Sequence, residues 1–161
     1  MSTYKFYDGS INGMERQQTA FATPGQSTGI VVRRGFVDTT KQTLTANTDI
    51  GQAIPLAKNE VVLGVWIRLE TAETSGNAEF SVGLDTDNEY FMDPVLATPA
   101  NLVATEFGLG VAITSNNQAV TIFPNNGVDL DTAVIEVCAL VSTSLNSDGD
   151  LPDPSYAYKL V

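Results

Sequence analysis

Val61-Val62-Leu63-Gly64-Val65-Trp66-Ile67-Arg68-Leu69 is the stretch that decides the fold class. Taken alternately, Val61, Leu63, Val65, Ile67 and Leu69 share one face, while Val62, Gly64, Trp66 and Arg68, followed by Glu70, share the other. Successive side chains of a strand point to opposite sides, so this spacing predicts a strand with one wholly apolar face. The β-branched and aromatic content agrees with that. Downstream, Thr74-Ser75-Gly76-Asn77 has the composition of a turn. Glu79 to Leu84 then alternates again, with Phe80, Val82 and Leu84 inward and Glu79, Ser81 and Gly83 outward. Two alternating runs joined by a turn are expected to pair as a hairpin.

The same rhythm continues in both directions. Ile30 to Val37 is β-branched and ends at Asp38-Thr39-Thr40, and Ile50 to Leu56 is a short strand stopped near Pro55. Asp85 to Glu89 reads as a polar loop before a strand at Tyr90-Phe91-Met92, which Asp93-Pro94 ends. Residues 95–106 read as a loop with one helical turn near 100–105. Phe107, Leu109, Val111 and Ile113 alternate with small residues, and a strand from Ala119 to Phe123 leads into the turn Pro124-Asn125-Asn126-Gly127. The last strand, Thr132 to Val141, is apolar on both faces and is expected to be central and covered on both sides. About eight short strands without helical periodicity predict an all-β chain, an antiparallel β-sandwich or jelly-roll. Residues 1–28 read as an extended N-terminal arm, 29–143 as the sandwich domain and 144–161 as an acidic C-terminal tail.

Composition narrows the function. The chain has 161 residues and a net charge of -11. Seven of its eight basic residues lie at or before Arg68, and from Leu69 onward 14 carboxylates face only Lys159. Such a body repels phosphate backbones, so no nucleic-acid partner is expected. No apolar run approaches the roughly 20 residues of a membrane span, so no membrane partner is expected either. The opening residues lack the order of a secretory signal, which points to synthesis in a cytoplasm. Cys138 is the only cysteine and reads as a small buried hydrophobe. Histidine is absent, which removes the commonest general base and metal ligand.

The remaining chemical motifs are weak. Asp85, Asp87 and Glu89 alternate like the start of a calcium loop, but Tyr90 stands where the turn would need glycine. The segment is expected to be a turn-rich loop, with no metal and no cofactor. Glu70, Glu79 and Glu136 are the carboxylates placed for a glycosidase pair, but one tryptophan and a small chain leave little for a sugar cleft. No G-x-S-x-G and no phosphate-binding loop occurs. No catalysis is expected. Tyr4, Phe6, Tyr7, Arg16 and Phe21 make the arm adhesive: exposed aromatics on an arm are expected to dock on the domain or on a neighbouring subunit.

Several segments in order carry a resemblance. They are Val31-Val32-Arg33-Arg34, the Ile54-Pro55-Leu56 step, and Thr71-Ala72-Glu73-Thr74-Ser75-Gly76-Asn77-Ala78. After these come Phe80-Ser81-Val82-Gly83-Leu84-Asp85-Thr86-Asp87-Asn88-Glu89-Tyr90-Phe91, Ala119-Val120-Thr121-Ile122 and the closing strand from Asp131 to Leu140. Over about residues 29–143 this resembles the head-decoration, or capsid-cement, proteins of tailed bacteriophages. The resemblance implies a sandwich or jelly-roll on the capsid exterior, a homotrimer bound to the major capsid protein, and an arm reaching a neighbour. A different reading is a receptor- or glycan-binding fibre or tail module, with Tyr90, Phe91 and Trp66 as exposed aromatics.

Overall fold

A computed structural model of the chain describes residues 1–6, 18–19, 30–58, 60–99, 102–115 and 118–143. The described residues form ten strands: β1 (Thr3–Lys5), β2 (Gln18–Thr19), β3 (Ile30–Asp38), β4 (Ile50–Leu56), β5 (Glu60–Thr71), β6 (Glu79–Leu84), β7 (Asp87–Leu96), β8 (Val103–Ala112), β9 (Gln118–Asn125) and β10 (Val134–Thr143). They make two five-stranded sheets, the first ordered β1-β4-β9-β6-β7 and the second β2-β3-β10-β5-β8. The pairings are antiparallel except for β1, which lies parallel to β4. No described helix is long and apolar enough to cross a membrane.

The sheets close on a core that includes Phe6, Ile54, Val65, Ile67, Phe80, Val82, Ile122, Ile135 and Val137. Each such side chain contributes about 1.5–3 kcal/mol by leaving water. The chain is thus the all-β sandwich of jelly-roll type that the alternation predicts. From β3 to β6 each strand steps to the opposite sheet.

In β5 the predicted inward face holds from Val65 to Leu69, where Val65, Ile67 and Leu69 are buried. Before that it inverts: Val62 is buried, and Val61 and Leu63 are half-buried. Leu140 of β10 pairs with Gly64 while Val141 pairs with Val62, so Leu63 is an extra residue. A bulge of one residue exchanges the faces of everything before it.

The hairpin expected between β5 and β6 does not form. β5 lies between β10 and β8 in the second sheet, and β6 between β9 and β7 in the first. Residues 72–78 cross from one sheet to the other, because the apolar faces of β5 and β6 meet across the core and not within one sheet. Glu73 anchors this crossing. Its buried carboxylate accepts from the Asp131 amide at 2.9 Å, the Thr132 amide at 3.0 Å, the Thr132 hydroxyl, and the Thr74 amide at 2.9 Å.

The hairpin that does form within one sheet joins β6 to β7. Leu84 pairs with Asp87, so only Asp85 and Thr86 make the turn, and Asp87, Asn88 and Glu89 belong to β7. β7 also runs past Asp93-Pro94 to Leu96, which its edge position permits, since proline is tolerated where no ladder donor is needed. The loop expected over 95–106 shrinks accordingly, with β8 beginning at Val103. No helix occurs among the described residues, and Ala100 and Asn101 lie outside them. β10 sits between β3 and β5, buried on both faces as its composition predicts. Asn126 and Gly127, with φ of 59° and 68°, make the tight turn after β9.

Two glycines set how closely backbones approach. A Cβ on Gly35 of β3 would stand 2.3 Å from the Ala53 carbonyl oxygen of β4, so the two sheets nearly touch there. A Cβ on Gly83 would stand 2.1 Å from the Asp87 carbonyl oxygen, where β7 folds back over β6.

Candidate functional site

Residues directly opposed in antiparallel strands share a face, so register maps the outer surface of the second sheet. One row across β3, β10, β5 and β8 holds Arg34, Cys138, Trp66 and Thr105, and the next holds Phe36, Glu136, Arg68 and Val103. Val32, Leu140 and Gly64 form a third row.

At the centre, the Glu136 carboxylate is buried between two guanidinium groups. Arg34 Nε lies 2.7 Å from Oε1, close enough for an ion pair but out of line for a hydrogen bond. Arg68 Nε lies 2.8 Å from Oε2, and Arg68 Nη2 donates to Glu70 Oε1 at 3.1 Å. Both arginines remain about half exposed. Burial pushes the Cys138 thiol above its ordinary pKa, against the pull of a hydrogen bond from Arg34. Its thiolate is therefore disfavoured, and the residue is an inert part of the sheet. Half-buried Trp66 and Leu140 and exposed Val32 surround the charged centre. Tryptophan and arginine, both present on this face, are residue types enriched in protein contacts, whereas a buried carboxylate such as that of Glu136 is not.

A second ion pair lies where β3 meets the β4–β5 turn. Arg33 points inward, and its guanidinium binds both carboxylate oxygens of buried Glu60, one of them from Nη1 at 2.8 Å. Nη1 also donates to the Pro55 carbonyl oxygen at 3.0 Å, and Glu60 accepts from the Ala57 amide at 2.8 Å. Both partners belong to the second sheet, and the hydrogen bond from Arg33 to Pro55 ties them to β4 of the first.

The residues singled out from sequence scatter. Phe6 is 1% exposed and belongs to its own chain's core, and Tyr4 is half-buried against that core. Tyr7, Arg16 and Phe21 lie outside the described residues. Asp85 turns toward neighbouring strands, accepting from Gln52 Nε2 and, at 2.8 Å, from the Ala119 amide. Asp87 accepts from the Glu89 amide at 3.1 Å. Among the described residues no three of His, Cys, Asp and Glu gather as a metal site would require. Phe91 is buried, contrary to the exposed aromatic expected there, with exposed Tyr90 packed edge-on against it at 5.4 Å. Tyr90 belongs to the first sheet and Trp66 to the second, so they share no platform. Glu79 stands on the first sheet, whereas Arg68 ties Glu70 to Glu136 on the second.

Chains from two phage capsids are among the solved structures that resemble this fold. One is a chain of the cyanophage Pam1 capsid asymmetric unit, with 19% identity, a TM-score of 0.58, and coverage of 81% of this chain and 96% of that one. The other is a chain of the capsid of Ralstonia phage GP4, with 13% identity, a TM-score of 0.58, and coverage of 90% and 100%. At these identities the likeness concerns the fold. No protein-family model and no curated protein matches the sequence.

Proposed function

We propose that the chain is a structural protein of a tailed-bacteriophage virion, a decoration protein that binds the exterior of the capsid shell and stabilises it without chemistry. The observation that carries this reading is the sandwich itself, matched over nearly the full length of chains from two phage capsids. Its partner is the major capsid protein, and it acts as a homotrimer. A protein that binds only the assembled shell favours that shell by linkage, and many copies add avidity. The exterior suits a net charge of -11, which packed DNA on the inside would repel.

The outer face of the second sheet, around Arg34, Trp66 and Arg68, is the rigid part of the contact. Tyr7, Arg16 and Phe21 of the arm supply the rest of the contact; Phe6 is already engaged in the core. Replacing Tyr7, Arg16 and Phe21 together by alanine tests this in a co-sedimentation assay with expanded shells assembled without the protein. The variant is expected to melt like the wild type and to remain in the supernatant. Pelleting with the shells at the wild-type level would refute the arm's role. The separation of Tyr90 from Trp66 favours this reading over a glycan-binding module.

A further inference from the structure

We infer that Asn126 is a site of spontaneous deamidation, where the backbone nitrogen of Gly127 displaces ammonia from the side-chain amide and leaves a carboxylate in the turn after β9. Asn126-Gly127 is one of two asparagine–glycine pairs in the chain; the other, Asn12-Gly13, lies outside the described residues. Both members of the pair adopt positive φ, 59° and 68°, so the turn itself favours these two residue types. Both are exposed. A Cβ on Gly127 would meet nothing within 4 Å, so the space around the attacking residue is open and no side chain shields its nitrogen. Among the described residues the Gly127 amide has no acceptor. The turn is closed by the Val128 amide on the Asn125 carbonyl oxygen at 3.5 Å, longer than the about 3 Å of an ordinary bond. Rotation of the Asn126–Gly127 peptide toward the side chain is therefore lightly opposed, and surface turns move within microseconds. Asn47, Asn77 and Asn88 differ. Each precedes a residue with a side chain, and the following amide is already engaged: Thr48 to the Thr45 carbonyl oxygen at 3.2 Å, Ala78 to that of Ser75 at 3.3 Å, and Glu89 to Asp87 Oδ1 at 3.1 Å.

Solvent hydroxide removes the Gly127 amide proton, and the nitrogen bonds to Asn126 Cγ. The Cγ–Nδ2 bond breaks, and Nδ2 takes a proton from water and leaves as ammonia. One water then opens the five-membered imide at either carbonyl, which gives aspartate or isoaspartate at position 126. In sum one water enters and one ammonia departs, with no oxidant or reductant. Nucleophile and carbonyl belong to adjoining residues, so the step is intramolecular. The departing Nδ2 is the donor to the Asn77 carbonyl oxygen at 3.1 Å, a tie between the turn and the 72–78 crossing that Glu73 also anchors. A carboxylate has no donor to offer, so the tie is lost. The product also adds a negative charge to a loop that already exposes Asp129 and Asp131. Deamidation thus loosens the crossing as the protein ages, independently of shell binding.

Mass spectrometry of the full chain, aged in heavy-oxygen water at mildly alkaline pH and then cut into peptides, tests this. The peptide that holds Asn126 is expected to gain one heavy oxygen, to resolve into aspartate and isoaspartate forms, and to convert faster as the pH rises. Peptides that hold Asn47, Asn77 and Asn88 are expected to stay unchanged over the same period. A chain kept unfolded in guanidinium shows what the sequence does alone, and the folded chain is expected to convert Asn126 at a comparable rate. An Asn126 that persists in the folded chain while it converts in the unfolded one would overturn the inference. So would conversion of the other three as fast as Asn126. Asn126→Asp, which carries the product from synthesis, is expected to unfold at a lower denaturant concentration than the wild type; an unchanged midpoint would refute the lost tie.

Discussion

Gly83 and Gly76 stand at opposite ends of what a single methyl group can do in this chain. A Cβ on Gly83 would collide with the backbone of Asp87 and Asn88, whereas one on Gly76 meets nothing within 4 Å. Gly83→Ala is therefore expected to lower stability by about 2–3 kcal/mol or more in urea unfolding, since backbone cannot yield as a side chain does. Gly76→Ala is expected to stay within about 0.5 kcal/mol of wild type. Equal effects would contradict the fold-back of β7. Glu73 shows the same dependence on a few atoms. Burial alone would raise its pKa, but hydrogen bonds from Thr132, Asp131 and Ser75 outweigh that and lower it from 4.5 to about 2. The folded value lies below the unfolded one, so the stabilisation is full above pH 4.5 and fades as the pH falls toward 2. The Asp131 carboxyl is raised, chiefly by the Glu73 charge, so its contribution has the opposite sign and is lost as the pH rises. Urea unfolding between pH 2 and pH 5 is expected to show stability rising with pH. Glu73→Ala is expected to flatten that rise and to cost about 2–4 kcal/mol at neutral pH by leaving its donors unpaired. An unchanged slope in the variant would count against the anchor.

At the scale of elements, the tie between β3 and the β4–β5 turn is ionic. Glu60→Ala strands the buried Arg33 guanidinium and is expected to cost about 3–5 kcal/mol, while Arg33→Met combined with Glu60→Leu is expected to recover most of it. Chemical denaturation of both variants checks this; a double variant as unstable as Glu60→Ala would show that the pair is more than a replaceable bridge. The inward position of Arg33 was not legible, since Ile30, Val32 and Phe36 on one parity of β3 are as apolar as Val31 and Val37 on the other, and its partner lies 27 residues away. The face of β5 was legible from Val65 to Leu69 and lost at Leu63, where the bulge left no mark in the alternation. β10 announced its central place because both of its faces are apolar. The assignment of β5 and β6 to one hairpin failed for a simple reason: period two fixes which face is buried and leaves the neighbouring strand open. The outer-face site was hidden for the same reason. Arg34, Arg68 and Glu136 are far apart in sequence and meet only through the registers of β3, β5 and β10.

Across the whole molecule, the fold mixes the polarity of charge visible in the sequence. The more basic first part of the chain supplies β1 to β5 and the acidic remainder supplies β6 to β10, and the sheets interleave the two, with β5 beside β8, β9 beside β4 and β10 beside β3. The outer face of the second sheet, centred on the ion network of Arg34, Glu136 and Arg68, is the surface on which the proposed function rests. The most direct test of the proposed function is a cryo-electron microscopy reconstruction of the virions to which that proposal assigns this chain. The account predicts two-layered β-sandwich density on the outer surface of the shell, repeated with the capsid symmetry and fitted by β1 to β10. Purified particles that contain none of this protein, or hold it only inside the shell, would contradict it.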